Sequence, residues 1–72
     1  VHPYRSRITS PRYEAYALAG LGRCELAEGR VAAAVEQLGA ALTIFERLGA
    51  AEAADVAAEL QAIDTRRGQV DG

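Results

Sequence analysis

Between Val31 and Leu48 the apolar residues recur at steps of three and four: Val31, Ala34, Val35, Leu38, Ala41, Leu42, Phe45, Leu48. That period places them on one stripe of an α-helix, with Glu36, Gln37, Thr43, Glu46 and Arg47 on the opposite side. A helix is predicted from Arg30 to Leu48, closed by Gly49. A second is predicted from Pro11 to Glu28. Ser10 can cap its free N–H groups, Pro11 suits a first helical position, and Glu14 favours the positive end of the helix dipole. Gly29 follows, a residue free to take the left-handed conformation that ends a helix. A third helix is predicted from Ala51 to Arg66, on Val56, Leu60 and Ile63 with Ala53 extending the face. Its acids lie early and Arg66 and Arg67 lie late, as the dipole prefers. Gly68 is expected to end it.

The connections at Gly29 and Gly49 are one or two residues long, which forces neighbouring helices to run antiparallel. The expected fold is therefore all-α, an antiparallel helical hairpin plus a third, capping helix over residues 11–67. Residues 1–10, with Pro3 and no helical period, read as a flexible linker. Residues 68–72 read as a disordered tail. Gly20, Gly22 and Gly39 fall inside predicted helices, where each costs about 0.5–1 kcal/mol relative to alanine.

Composition strengthens the helical reading. Alanine, the best helix former, dominates, and β-branched residues never form a run of strand length. With 72 residues the chain is one domain at most, and a core of that size supplies about 3–5 kcal/mol. Cys24 is the sole cysteine and His2 the sole histidine, so neither an internal disulfide nor a tetrahedral Cys/His metal site is expected. A lone cysteine points to a reducing, cytoplasmic setting, and its expected state is a buried, inert thiol. Since the sequence starts at Val1, it is expected to be part of a longer chain.

Net charge is −2, unevenly spread. Arg5, Arg7 and Arg12 open the chain without an acid among them. From residue 13 to 64, Glu14, Glu25, Glu28, Glu36, Glu46, Glu52, Asp55, Glu59 and Asp64 outnumber Arg23, Arg30 and Arg47. An acidic body repels phosphate backbones, so direct nucleic-acid binding is not expected. No apolar run reaches about 18 residues, and the stripe of the middle helix lacks the flanking basic residues of a membrane-surface helix. His2 has no partner near it in the sequence, Ser6 and Ser10 have no triad context, and Gly20-Leu21-Gly22 follows no strand and precedes no Lys-Ser/Thr pair. No catalytic residue, cofactor or metal is expected.

Residues 15–48, AYALAGLGRCELAEGRVAAAVEQLGAALTIFERL, resemble a tetratricopeptide repeat. Leu18, Leu21 and Gly22 stand where the family's first helix carries a bulky residue and a Leu-Gly pair. Gly29 stands at its turn, Ala34 and Ala41 at the small positions of its second helix, and Leu38 at the large position between them. Two departures are plain: Glu25 replaces a usually large residue, and no proline follows the second helix, which runs on through Ile44, Phe45 and Leu48. With the third helix included, the stretch resembles the C-terminal end of helical-repeat domains in actinobacterial transcriptional regulators, which implies a DNA-binding segment elsewhere in the parent chain.

The resemblance implies close helix contact at Gly22, and packing by Leu18, Leu21, Gly22, Ala34, Leu38, Ala41, Phe45, Leu60 and Ile63. It implies a protein–protein interaction module, with Tyr13 and Tyr16 as the edge that docks on a preceding repeat. The third helix would close the array with an acidic outer face of Glu52, Asp55 and Glu59. An isolated module is expected to cover its open edge by pairing with itself as a homodimer. The competing expectation is a stand-alone oligomerisation or docking domain of a large multi-domain enzyme.

Overall fold

The computed structural model describes residues 10–71, with side chains described through Arg67. Residues 1–9 of the linker expected over residues 1–10, and Gly72, lie outside the described part. Three α-helices follow one another: α1 over Pro11–Ala27, α2 over Val31–Leu48 and α3 over Glu52–Asp71. There is no strand among the described residues. The chain is all-α, a helical hairpin followed by a third helix.

Each boundary has a local cause. The Ser10 hydroxyl accepts from the Tyr13 amide at 3.1 Å, and Pro11 opens the helix where its missing N–H is not needed. At the other end Gly29 takes φ +85°. The Arg30 amide donates to the Glu25 carbonyl at 2.8 Å, and the Gly29 amide donates to the Leu26 carbonyl at 3.0 Å. This is the paired closure of a Schellman turn, which answers two carbonyls the helix leaves open. Gly49, at φ +66°, repeats it: the Ala50 amide donates to the Phe45 carbonyl and the Gly49 amide to that of Glu46. A side chain at either glycine would meet a strained backbone, so the two corners depend on glycine.

Cross-helix contacts fix the directions. Gly22 lies against Ala34 and Leu38, while the Tyr16 ring meets Phe45 edge-on at 5.4 Å and 76°. Moving up α1 therefore means moving down α2. Arg12 bridges to Glu52 and Arg23 to Glu59, so α1 and α3 run the same way, side by side. The core is one cluster of Ala15 and Ala19 from α1, Leu38, Ala41 and Phe45 from α2, and Val56 and Ile63 from α3. On α1 the buried positions are all small: Ala15, Ala19 and Gly22. Small residues let the α1 and α2 backbones approach closely. A Cβ at Gly22 would stand 2.8 Å from the Leu38 Cγ and 3.2 Å from both the Ala34 carbonyl oxygen and the Leu38 nitrogen. Nothing lies within 4 Å of a Cβ built at Gly20 or Gly39.

Two sequence expectations need correction here. The third helix does not stop at Gly68. Its backbone continues to Asp71, so residues 68–71 are not a disordered tail. A glycine inside a helix costs only about 1 kcal/mol against alanine, too little by itself to end one. The second concerns Leu21, which is 49 % exposed rather than packed. Leu21 and Gly22 stand about 100° apart around α1, so only one of the pair can face α2, and it is the glycine.

Candidate functional site

Two surfaces distinguish this module: the outer face of α1, and the grooves along α3. The outer face follows from the helical period. Tyr13, Ala17, Gly20, Cys24 and Ala27 step by four, three, four and three residues, opposite the buried Ala15, Ala19 and Gly22, with Leu21 alongside. None is charged. Tyr13 is 68 % exposed and Leu21 is 49 % exposed. Cys24 is exposed too, which corrects the expectation of a buried thiol. It sits two positions beyond Gly22, on the far side of the helix from α2. Such a helix is apolar on two sides, whereas a helix at the end of a domain normally turns polar residues outward. By contrast, the exposed side chains of α3 between Ala54 and Thr65 are Ala54, Asp55, Ala58, Gln61, Ala62, Asp64 and Thr65, with no large apolar group among them.

The pair expected to form the docking edge is split. Tyr13 lies on the outer face, but Tyr16, 48 % exposed, turns toward α3. Three residues advance a helix by about 300°, which leaves the two rings on neighbouring faces. The Tyr16 hydroxyl donates to Glu52 Oε2, and Arg12 Nη1 donates to Glu52 Oε1 at 3.3 Å. Further along, Arg23 makes a two-pronged contact with Glu59, Nε to Oε1 at 2.9 Å and Nη2 to Oε2 at 2.6 Å. Glu52 and Glu59 therefore do not form an acidic outer face on α3; they fasten it to α1. At the other end Arg30 pairs with Glu25, at 3.1 Å, and with Glu28.

These contacts move protonation equilibria. The hydrogen bond from Tyr16 holds the Glu52 carboxyl below its ordinary value of 4.5, helped by a backbone hydrogen bond and the charge of Arg12. The same bond raises the Tyr16 phenol above its ordinary 10.0, with partial desolvation and the Glu52 charge acting the same way. Glu59 raises Arg23 likewise. All these groups are exposed enough that each contact is a modest clasp.

Between α1 and α3 a shallow groove of about 180 Å³ is floored by Tyr16, Ala19, Phe45 and Val56 and edged by Arg23, Glu52 and Asp55. A larger one, of about 330 Å³, opens where α3 passes the Gly29 corner. It is lined by Leu26, Gly29, Val31, Ile63, Arg66 and Arg67.

Of the remaining residues expected to pack, Ala34, Leu38, Ala41, Phe45 and Ile63 are buried, Leu18 and Leu60 are partly buried, and Gly29 is the first corner. His2 and Ser6 lie outside the described residues, and the Ser10 hydroxyl is taken up by its cap. Among the described residues no three His, Cys, Asp or Glu side chains come together as metal ligands do, no buried polar side-chain atom lacks a partner, and no helix is long and apolar enough to cross a membrane. No family model, no curated protein and no solved structure matches the chain.

Proposed function

We propose that the chain is a helical-repeat protein–protein interaction module. In this reading it forms the last hairpin and closing helix of an array in a cytoplasmic bacterial transcriptional regulator, and it binds polypeptides rather than transforming a substrate. The observation that carries this is the outer face of α1. An uncharged stripe of Tyr13, Ala17, Gly20, Leu21 and Cys24 stays open to water, while α3 exposes no large apolar side chain among its described residues. The asymmetry is that of a terminal repeat, whose inner edge meets a neighbour and whose outer edge meets solvent. Gly20 fits the same reading. Its backbone is open, and nothing within the chain uses the missing side chain, whereas close approach by a facing helix would.

An isolated module carries the same stripe and covers it by pairing with a second copy. The test is dilution of the ¹⁵N-labelled chain from millimolar to low micromolar concentration. Amide shifts confined to residues 13, 17, 20, 21, 24 and 27 are expected. Concentration-independent shifts along α1, or movement centred on α3, would remove the support for this reading.

A further inference from the structure

The larger groove has a chemistry that pairing through α1 does not use. Its floor is apolar: Ile63 is 4 % exposed and belongs to the core, and Leu26 and Val31 pack against it. Its remaining lining is two consecutive guanidinium side chains, Arg66 and Arg67, both exposed. Of the other described arginines, Arg12 pairs with Glu52, Arg23 with Glu59 and Arg30 with Glu25 and Glu28, while Arg47 stands alone at the opposite end of α2. Arg66 and Arg67 make no ion pair among the described residues. In a body of net negative charge, two adjacent cations thus stand beside an apolar recess of about 330 Å³. The α2 N-terminus begins at the same lip with Val31. Its N-cap residue, Arg30, makes no side-chain cap, so the end of the helix dipole adds to the positive potential there.

We propose that this groove is a binding site for an aliphatic carboxylate, its alkyl chain lying over Leu26, Val31 and Ile63 and its head group held by Arg66 and Arg67. The volume, about 330 Å³, is at the small end of ligand pockets. It holds one flexible chain but not the side chains of a whole docked helix. Guanidinium forks match a carboxylate in two-pronged geometry, and the charge excludes a cationic amphiphile.

The probe is sodium octanoate, added to the full ¹⁵N-labelled chain below its micellar concentration, with acetate and octyltrimethylammonium as controls. Octanoate is expected to shift the amides of Leu26, Gly29, Val31 and Ile63 saturably, while the controls leave them still. Arg66→Ala/Arg67→Ala is expected to bind about tenfold more weakly, from two exposed charge pairs. Arg66→Lys/Arg67→Lys is expected to keep most of the affinity, and circular dichroism checks that both variants stay folded. Equal shifts from octanoate and the octyl cation, equal shifts from acetate, binding unchanged in the alanine pair, or no saturable shift at millimolar octanoate would each overturn the proposal. None of these outcomes bears on the α1 face, whose residues are read separately in the same spectra.

Discussion

Replacing Gly22 by alanine adds one methyl group, and its effect can be worked out from the geometry. In an open helix position the change would stabilise by about 1 kcal/mol, the helix-propensity gap between the two residues. At Gly22 the new Cβ would lie 2.8 Å from the Leu38 Cγ, whereas carbon atoms rest about 3.5–4.0 Å apart. Leu38 is fully buried between the helices, and interiors of this kind are close-packed, with few voids for a displaced side chain. The two other contacts, at 3.2 Å, are to the backbone of Ala34 and Leu38, which no rotamer change can relieve. The helices must therefore separate, loosening Ala15, Ala19 and Ala41 as they go. Overpacking of this kind costs about 1–3 kcal/mol. After the propensity gain, Gly22→Ala is expected to lose about 1–2 kcal/mol net, out of a total of about 3–5 kcal/mol for so small a core.

Gly20→Ala, two residues away, meets nothing within 4 Å and is expected to gain about 0.5–1 kcal/mol. Urea titration followed by circular dichroism at 222 nm, at low micromolar chain, reads both. Equal stability of Gly22→Ala and Gly20→Ala would show that α1 and α2 do not meet as closely as the 2.8 Å contact requires.

Further outcomes follow from the same contacts. Leu38→Asp places an unpaired charge at a fully buried position and is expected to abolish cooperative melting, since the desolvation penalty exceeds the whole stability of the module. Acid is expected to loosen α3 from α1. The Glu52 carboxyl is held below 4.5 in the fold, so its contribution is complete above that pH and is lost as pH falls through the lower folded value; hydrogen exchange across α3 at pH 6 and pH 3 checks the sign. Alkali has the mirrored effect through Tyr16, whose contribution is complete below 10.0 and is lost as pH rises through its elevated value, a step that Tyr16→Phe removes from the alkaline titration. At low micromolar chain, where the pairing through α1 is dissociated, Cys24 is expected to react stoichiometrically with a thiol reagent without denaturant. A labelling rate far below that of the urea-unfolded chain would contradict its exposure.

Much of the fold was legible because the signals were local. The stripe from Val31 to Phe45, the Ser10-Pro11 start and the glycines at the two corners each act within one or two helical turns, and the helices lie where those signals put them. What the sequence left open depends on rotation. Period alone makes Leu21 and Gly22 equally good candidates for the α2-facing position, and only the approach of Leu38 decides for the glycine. The same rotation carries Cys24 outward and separates Tyr16 from Tyr13. Glu52 and Glu59 looked like a solvated face because their partners, Arg12 and Arg23, are about forty positions away in the chain. Such long-range pairs have no local signature. Gly68 misled for the opposite reason: it is a good local stop signal, but glycine costs a helix only about 1 kcal/mol and α3 continues through it.

On the proposed function, the outer face of α1 is there to be covered by another polypeptide. Sedimentation equilibrium on the isolated chain, run beside Ala17→Glu, separates the alternatives. A reversible dimer is expected for the unaltered chain and a monomer of unchanged helicity for the variant, whose charge falls mid-stripe on a position exposed in the single chain. A chain that remains monomeric up to millimolar concentration, or a dimer indifferent to Ala17→Glu, would contradict that role.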